Sequence, residues 1–214
     1  MFINYLEKFR KEEKYIKESN LLVDGDYLDF LDYLKKFNIP IDTYGTGKFK
    51  TVGHLFNEIK EGETVLTEKD GKLTRKVYFV GARIIFKDKD SDKWLHLYEE
   101  KQVFKDGRIR RRDLPFSMAE KFKLGEEPKS VLVRGMKEEL DITIKNNQFN
   151  FFNEMEIEDN GDYPGIRSFH TGHEFLVVLT PDQVKEEGYI ERQSDKDVYF
   201  KWKSIGQFLV IYLT

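Results

Sequence analysis

The 214-residue chain contains no cysteine. Disulfide bonds, thiol nucleophiles and thiolate metal sites are therefore excluded from its chemistry. It also has no long hydrophobic run: nothing approaches the ~18 to 20 consecutive apolar residues that a membrane-spanning helix needs, so no membrane partner is expected. The opening FINYLEKFRKEEKY lacks both the apolar stretch and the small-residue cleavage site of a secretory signal; the expected location is cytoplasmic. Neither sign of charge dominates, with 36 Lys+Arg against 39 Asp+Glu and a net charge of -3. That balance supplies no bulk attraction to nucleic acid or to an acidic membrane. What the chain does have is 39% hydrophobic and 14% aromatic residues, enough for a core. No internal repeat or low-complexity segment interrupts it.

Residues 2–18 read as a helix, with Phe2, Tyr5, Leu6 and Phe9 on one face. Asp26 is placed to cap a second helix over 27–37, with Leu28, Leu31 and Leu34 on one side and Asn38-Ile39-Pro40 as its stop. Gly45 to Thr51 (GTGKFKT) has the glycines and lysines of a phosphate loop. Phe49 and Asp42 stand where the P-loop pattern needs Ser/Thr and Gly, so the expectation is a turn with Thr51 as the N-cap of the next helix. Two helices of this length cannot bury themselves alone, and a helical N-terminal extension over 1–64 is expected to cover a second domain over 65–214. That domain is β-rich. Lys69-Asp70-Gly71-Lys72 is a turn, 77–86 (VYFVGARIIF) and 94–104 (WLHLYEEKQVF) are strands, and Asp106-Gly107 is a hairpin signal leading to a third strand from Arg108. Residues 149–157 and 198–202 read as strands, 166–179 as a strand or hairpin pair, Pro181-Asp182 as the start of a short helix, and 205–213 as an apolar terminal helix.

The chain is organised around 124–142, LGEEPKSVLVRGMKEELDI. Pro128 suits the first position of a helix, where its missing N–H is not needed. Leu132, Met136 and Leu140 then recur at i, i+4 and i+8 as one apolar stripe. Glu138 and Glu139 lie off that stripe in the last turn, where the helix dipole disfavours negative charge. Two adjacent carboxylates there invite a counter-charge, from basic side chains or from a divalent cation.

This stretch resembles the signature of the Nudix hydrolase superfamily, G-x5-E-x7-R-E-U-x-E-E-x-G-U with U aliphatic. Glu126, Arg134, Met136, Glu138, Glu139 and Ile142 fall on its E, R, U, E, E and final U with every spacing kept. Glu120, Gly135 and Asp141 stand where the signature has Gly, Glu and Gly. The resemblance implies an α+β fold, a Nudix-like mixed β-sheet between helices. It also implies a catalytic set of Glu126, Arg134, Glu138 and Glu139, with Glu138 and Glu139 as ligands to Mg²⁺ or Mn²⁺. Gly135 removes one of the three glutamates that form the family's metal-binding face, so either something approaches the backbone closely there or a carboxylate enters from elsewhere. Glu100, Glu154, Glu156, Glu158 and Glu174 are the open candidates.

Other residues bear on a ligand. Arg108, Arg110 and Arg112 share one face if the segment is a strand, and can hold phosphate groups bidentately or pair with Glu99 and Glu100. His170 and His173 have an H-x-x-H spacing. On a strand they point to opposite faces, so a shared metal requires an irregular backbone at Thr171-Gly172, whereas a pocket-lining or general-base role does not.

The expected function is a Mg²⁺-dependent pyrophosphohydrolase acting on a nucleoside diphosphate linked to another group. The alternative is a catalytically inactive module of the same fold that binds a nucleotide-like small molecule or a protein partner. RNA binding through the arginines with Lys48 and Lys50 is a third and weaker reading. The sequence leaves the oligomeric state open.

Overall fold

The computed structural model describes residues 26–123, 125–159 and 161–205; the helices expected over 2–18 and 205–213 fall outside them, Ile205 excepted. Three α-helices appear among the described residues: α1 (Tyr27–Lys36), α2 (Val52–Lys60) and α3 (Pro128–Leu140). The nine strands are β1 (Val65–Lys69), β2 (Lys72–Lys87), β3 (Trp94–Phe104), β4 (Ile109–Arg110), β5 (Met118–Lys121), β6 (Phe149–Glu158), β7 (Arg167–Val178), β8 (Tyr189–Arg192) and β9 (Lys196–Ser204). They form one sheet ordered β6-β7-β2-β3-β9-β8, with β1 and β5 on β2 and β4 on β3.

Turn chemistry sets much of this order. Asp70 and Gly71 both have positive φ (53° and 71°), the geometry of a two-residue hairpin turn, and β1 pairs antiparallel with β2 across them. Residues 77–86 and 94–104 pair antiparallel as expected, with Ile85 opposite His96 and Phe86 opposite Leu95. The segment after Asp106-Gly107 pairs only at Ile109 and Arg110. The third strand expected from Arg108 is thus two residues long, and the chain leaves the sheet before Pro115. Residues 166–179 form one strand rather than a hairpin. Its Gly172 lies against the Phe79 ring, and the Leu179 N–H donates to the Ile85 carbonyl. Both contacts advance in the same direction along β2 and β7, so this pair is parallel and the sheet is mixed.

The chain folds as two compact units. Of the described residues, the first holds 26–79, 121–127 apart from 124, and 155–172 apart from 160. Here Asp26 caps α1 by accepting from the Leu28 and Asp29 N–H groups. The buried face of α1 is Phe30 and Leu34, whereas Leu28 is 67% exposed. Of the expected face, Leu34 is in the core and Leu31 packs against it, while Leu28 turns to solvent and Phe30 takes its place. Thr51 caps α2 through His54, and Leu55, Phe56 and Ile59 join Phe30, Leu34, Leu66, Leu73 and Tyr163 in one apolar cluster.

Of the described residues, the second unit holds Val80–Glu120, Pro128–Glu154 and 173–205. Leu132, Met136 and Leu140 are 0%, 0% and 3% exposed, so the expected stripe is the buried one, and α3 packs against β8. Truncating such a core leucine to alanine costs about 2–5 kcal/mol. Asp141 ends α3 at φ +57°, a left-handed conformation that Asp tolerates, and the Ile142 N–H returns to the Met136 carbonyl at 3.0 Å.

Candidate functional site

The last turn of α3 places its two glutamates in different surroundings. Glu138 has a side chain 54% exposed and is bridged to Arg134 one turn earlier at 3.2 Å. Glu139 lines a cavity of about 220 Å³ within the second unit, together with Glu99 of β3, Glu120 of β5, Glu191 of β8, Arg112, Gln102, Gln193 and Lys196. Burial raises the Glu139 pKa well above the ordinary carboxylate range; Glu191, Glu120 and Glu99 push the same way, and Arg112 opposes them. No hydrogen bond or ion pair reaches Glu139 among the described residues.

The neighbouring carboxylates are better provided for. Glu99 is 5% exposed and accepts from the Arg112 guanidinium, with Nε at 2.9 Å, and from Gln102 at 3.3 Å. A β-bulge makes this possible: the β3–β9 register shifts between Glu99 and Lys101, which turns Gln102 to the same buried side as Leu97 and Glu99. Glu120 pairs with Arg134 at 2.5 Å. Glu191 accepts from Gln193 at 2.7 Å, and its pKa is raised, first by burial. Four carboxylates thus face two lining cations, Arg112 and Lys196. Carboxylate oxygens are the donor type that Mg²⁺ and Mn²⁺ prefer, and a carboxylate held from water without a partner is a demand for positive charge. In donor chemistry the cavity fits such an ion. Among the described residues, no group of three or more potential ligands is already gathered at metal-binding spacing.

The remaining sequence candidates are dispersed. Glu126 accepts from the Lys123 N–H at 2.7 Å, tightening the turn before α3. Arg108 is 72% exposed and pairs with Asp106, and Arg110 is exposed; only Arg112 reaches the cavity, through Glu99. His170 is half-buried, and its pKa is lowered by burial and then by Arg75. His173 is 4% exposed, with its ring 6.5 Å from Phe151. Both lie on the one strand β7, three positions apart, a spacing that alternates to opposite faces. Of the outside carboxylates, Glu154 and Glu156 are exposed, Glu158 pairs with Arg167, Glu174 with Arg83, and Glu100 lies 3.9 Å from Lys101. Those that surround Glu139 are instead Glu99, Glu120 and Glu191. A signal existed for Glu120, which stands at a signature position, but none for Glu191.

The phosphate-loop lookalike is a turn, with Gly45 and Gly47 at positive φ (79° and 56°). Its Lys50 binds Glu58 at 2.8 Å and Asp162 at 3.3 Å. No helix among the described residues is long and apolar enough to cross a membrane.

No protein-family model matches this chain, and no curated protein matches it. Solved structures do. A MutT/nudix family protein from Enterococcus faecalis is similar over 84% of this chain, at 12% identity and a TM-score of 0.42. The present chain spans 56% of that protein's length. An Ap4A hydrolase from C. elegans is similar over 64% of this chain and 86% of its own, at 16% identity and a TM-score of 0.36. The NUDIX domain of Shewanella oneidensis NrtR, solved with ADP ribose, is similar over 63% of this chain and 77% of its own, at 9% identity and a TM-score of 0.39.

Proposed function

We propose that the protein is a divalent-cation-dependent pyrophosphohydrolase acting on a nucleoside diphosphate linked to another group, with its reaction centre at the Glu139 cavity. The observation that carries this reading is Glu139 itself: a half-buried carboxylate lining a cavity with three others, on the helix whose sequence resembles the Nudix signature. Mg²⁺ or Mn²⁺, when bound, supplies Lewis-acid polarisation of a phosphoryl oxygen and a template for the phosphate chain.

The chain's own groups do the rest. Glu139 offers its oxygens to the cation. Arg112 holds the Glu99 carboxylate through its guanidinium and carries donors beyond those that Glu99 occupies, suited to a phosphate oxygen. Arg134 fixes Glu120 on the strand and Glu138 on the helix, which holds the cavity wall in register. The pyrophosphate linkage is the substrate class because a site built from oxygen ligands and a guanidinium matches phosphate oxygens and the cation that accompanies them.

The test is Mg²⁺-dependent turnover of a panel of nucleoside diphosphate-linked compounds. The native protein hydrolyses at least one of them, and Glu139→Gln lowers kcat/KM by about 100-fold or more, beyond the range typical of changes outside the ligand shell. The rival reading, a module that binds nucleotide-like ligands without turning them over, is supported by Gly135 standing where the signature has a glutamate. It predicts nucleotide binding with no turnover.

A further inference from the structure

Gly135 is buried in α3, and its surroundings explain why a glycine is there. A Cβ built at this position would lie 2.9 Å from the Glu120 Cβ and 3.2 Å from its Cγ, and would also run into the terminal methyl of Met118. The volume that a glutamate side chain would fill at 135 is therefore held by two β5 side chains, one of them a carboxylate. Glu120 is 23% exposed in its side chain, lines the same cavity as Glu139, and is fixed by Arg134 at 2.5 Å. Glu138, by contrast, is outside that lining and open to solvent. The helix thus delivers one carboxylate to the cavity, and the adjoining strand delivers another across the gap left by the missing side chain.

We propose that Glu120 is the cation ligand that replaces the absent carboxylate at position 135, so that the metal set is built from strand and helix, with Glu120 and Glu139 as partners and Glu138 outside it. The assignment rests on the cation reading of the cavity. Its independent support is geometric: Glu139 lines the same cavity with no hydrogen bond or ion pair among the described residues, and the space at 135 is filled by Glu120. Gly135 is the steric complement of Glu120: either a long side chain stands at 120 with glycine at 135, or the reverse.

The experiment is Mn²⁺ binding, followed by calorimetry and by the EPR signal of the free ion, to the native full chain and its variants, with thermal unfolding of each. Native protein binds Mn²⁺. Glu120→Gln and Glu139→Gln each weaken binding by about 10- to 100-fold, and Glu138→Gln leaves it within about twofold, as expected of an exposed group. Gly135→Glu alone lowers Tm, because its side chain meets Glu120 and Met118. Combining it with Glu120→Gly, which removes the Glu120 Cβ and Cγ that the new side chain meets, recovers both Tm and Mn²⁺ affinity, a non-additive pair. Native protein that binds no Mn²⁺ overturns the cation reading and this assignment together. Native binding that is lost in Glu139→Gln and kept in folded Glu120→Gln leaves the cation reading standing and overturns the role of Glu120. Should the double variant fail to fold, the Glu120→Gln measurement decides alone.

Discussion

Each unit withdraws a glutamate wholly or partly from water, and the two are driven in opposite directions. Glu58, in the first unit, is 8% exposed. Burial works to raise its pKa, yet Arg75, Lys121 and Lys50 together bring it down to about 2. Its oxygens accept from Arg75 at 2.7 Å, Lys50 at 2.8 Å and Lys121 at 3.1 Å, and Arg75, itself 1% exposed, stacks on the Tyr163 ring with its centre 5.0 Å from the centroid. Glu139, in the second unit, experiences the same desolvation, but its neighbours are Glu191, Glu120 and Glu99, and its pKa rises. Desolvation is common to both; the sign of the surrounding charge decides the outcome. A buried carboxylate enclosed by cations is a finished structural joint. One enclosed by carboxylates is unfinished, and on the reading above a metal ion completes it.

The sharpest way to break this comparison is to neutralise each glutamate in turn. Glu58→Gln disrupts a buried ion-pair network and leaves Arg75 without its counter-charge, so unfolding free energy falls by about 3 kcal/mol. Glu139→Gln, in metal-free buffer, removes a carboxyl whose ionisation its acidic neighbours already oppose, and leaves stability unchanged or raised by about 1 kcal/mol. Urea titrations of both variants check this; equal destabilisation of the two would show that the contrast is not one of function against structure.

The next effect is ligand linkage. Saturating Mg²⁺ or Mn²⁺ at about 100 times its Kd stabilises the native protein by about 2.7 kcal/mol. The same addition should leave the Tm of Glu139→Gln almost unmoved. A full Tm shift in that variant would place the ion elsewhere.

The acid limb of the stability curve comes third. The folded pKa of Glu58 lies below its ordinary 4.5, at about 2. Its contribution is therefore complete above 4.5 and is lost as pH falls from there through about 2, since the unfolded chain takes up the proton first. Stability measured from pH 6 down to 2 should show that loss in native protein and a flatter limb in Glu58→Gln. The smallest effect belongs to Arg108→Ala. Arg108 is 72% exposed, pairs with its neighbour Asp106 and lies over the Phe104 ring, and the expected change is below about 1 kcal/mol. A larger loss, of stability or of turnover, would show that this arginine does more than meet solvent.

Much of the fold was readable in short stretches of sequence. Asp26 and Thr51 cap the helices that follow them, and Asp70-Gly71 turns the chain between two paired strands. Leu132, Met136 and Leu140 are buried as their spacing predicts. Each depends on residues a few positions apart, where turn geometry, capping and helical period act directly. Leu31 and Leu34 pack as expected but Leu28 does not, because a short helix with apolar residues at 27, 28, 30, 31, 33 and 34 supports more than one stripe, and only packing chooses among them.

The site divides along the same line. That α3 would end in two glutamates, with Gly135 where the signature has a third, was determined by sequence alone. Which glutamates gather about Glu139 was decided by tertiary structure. Glu99 turns inward beside Gln102 at a bulge that local alternation does not announce. Glu120 enters through the space that Gly135 leaves, and Glu191 arrives on β8, some fifty positions further along the chain. Sheet register and helix packing bring these groups together, and no periodicity within a single element encodes which distant carboxylate will share a cavity with another.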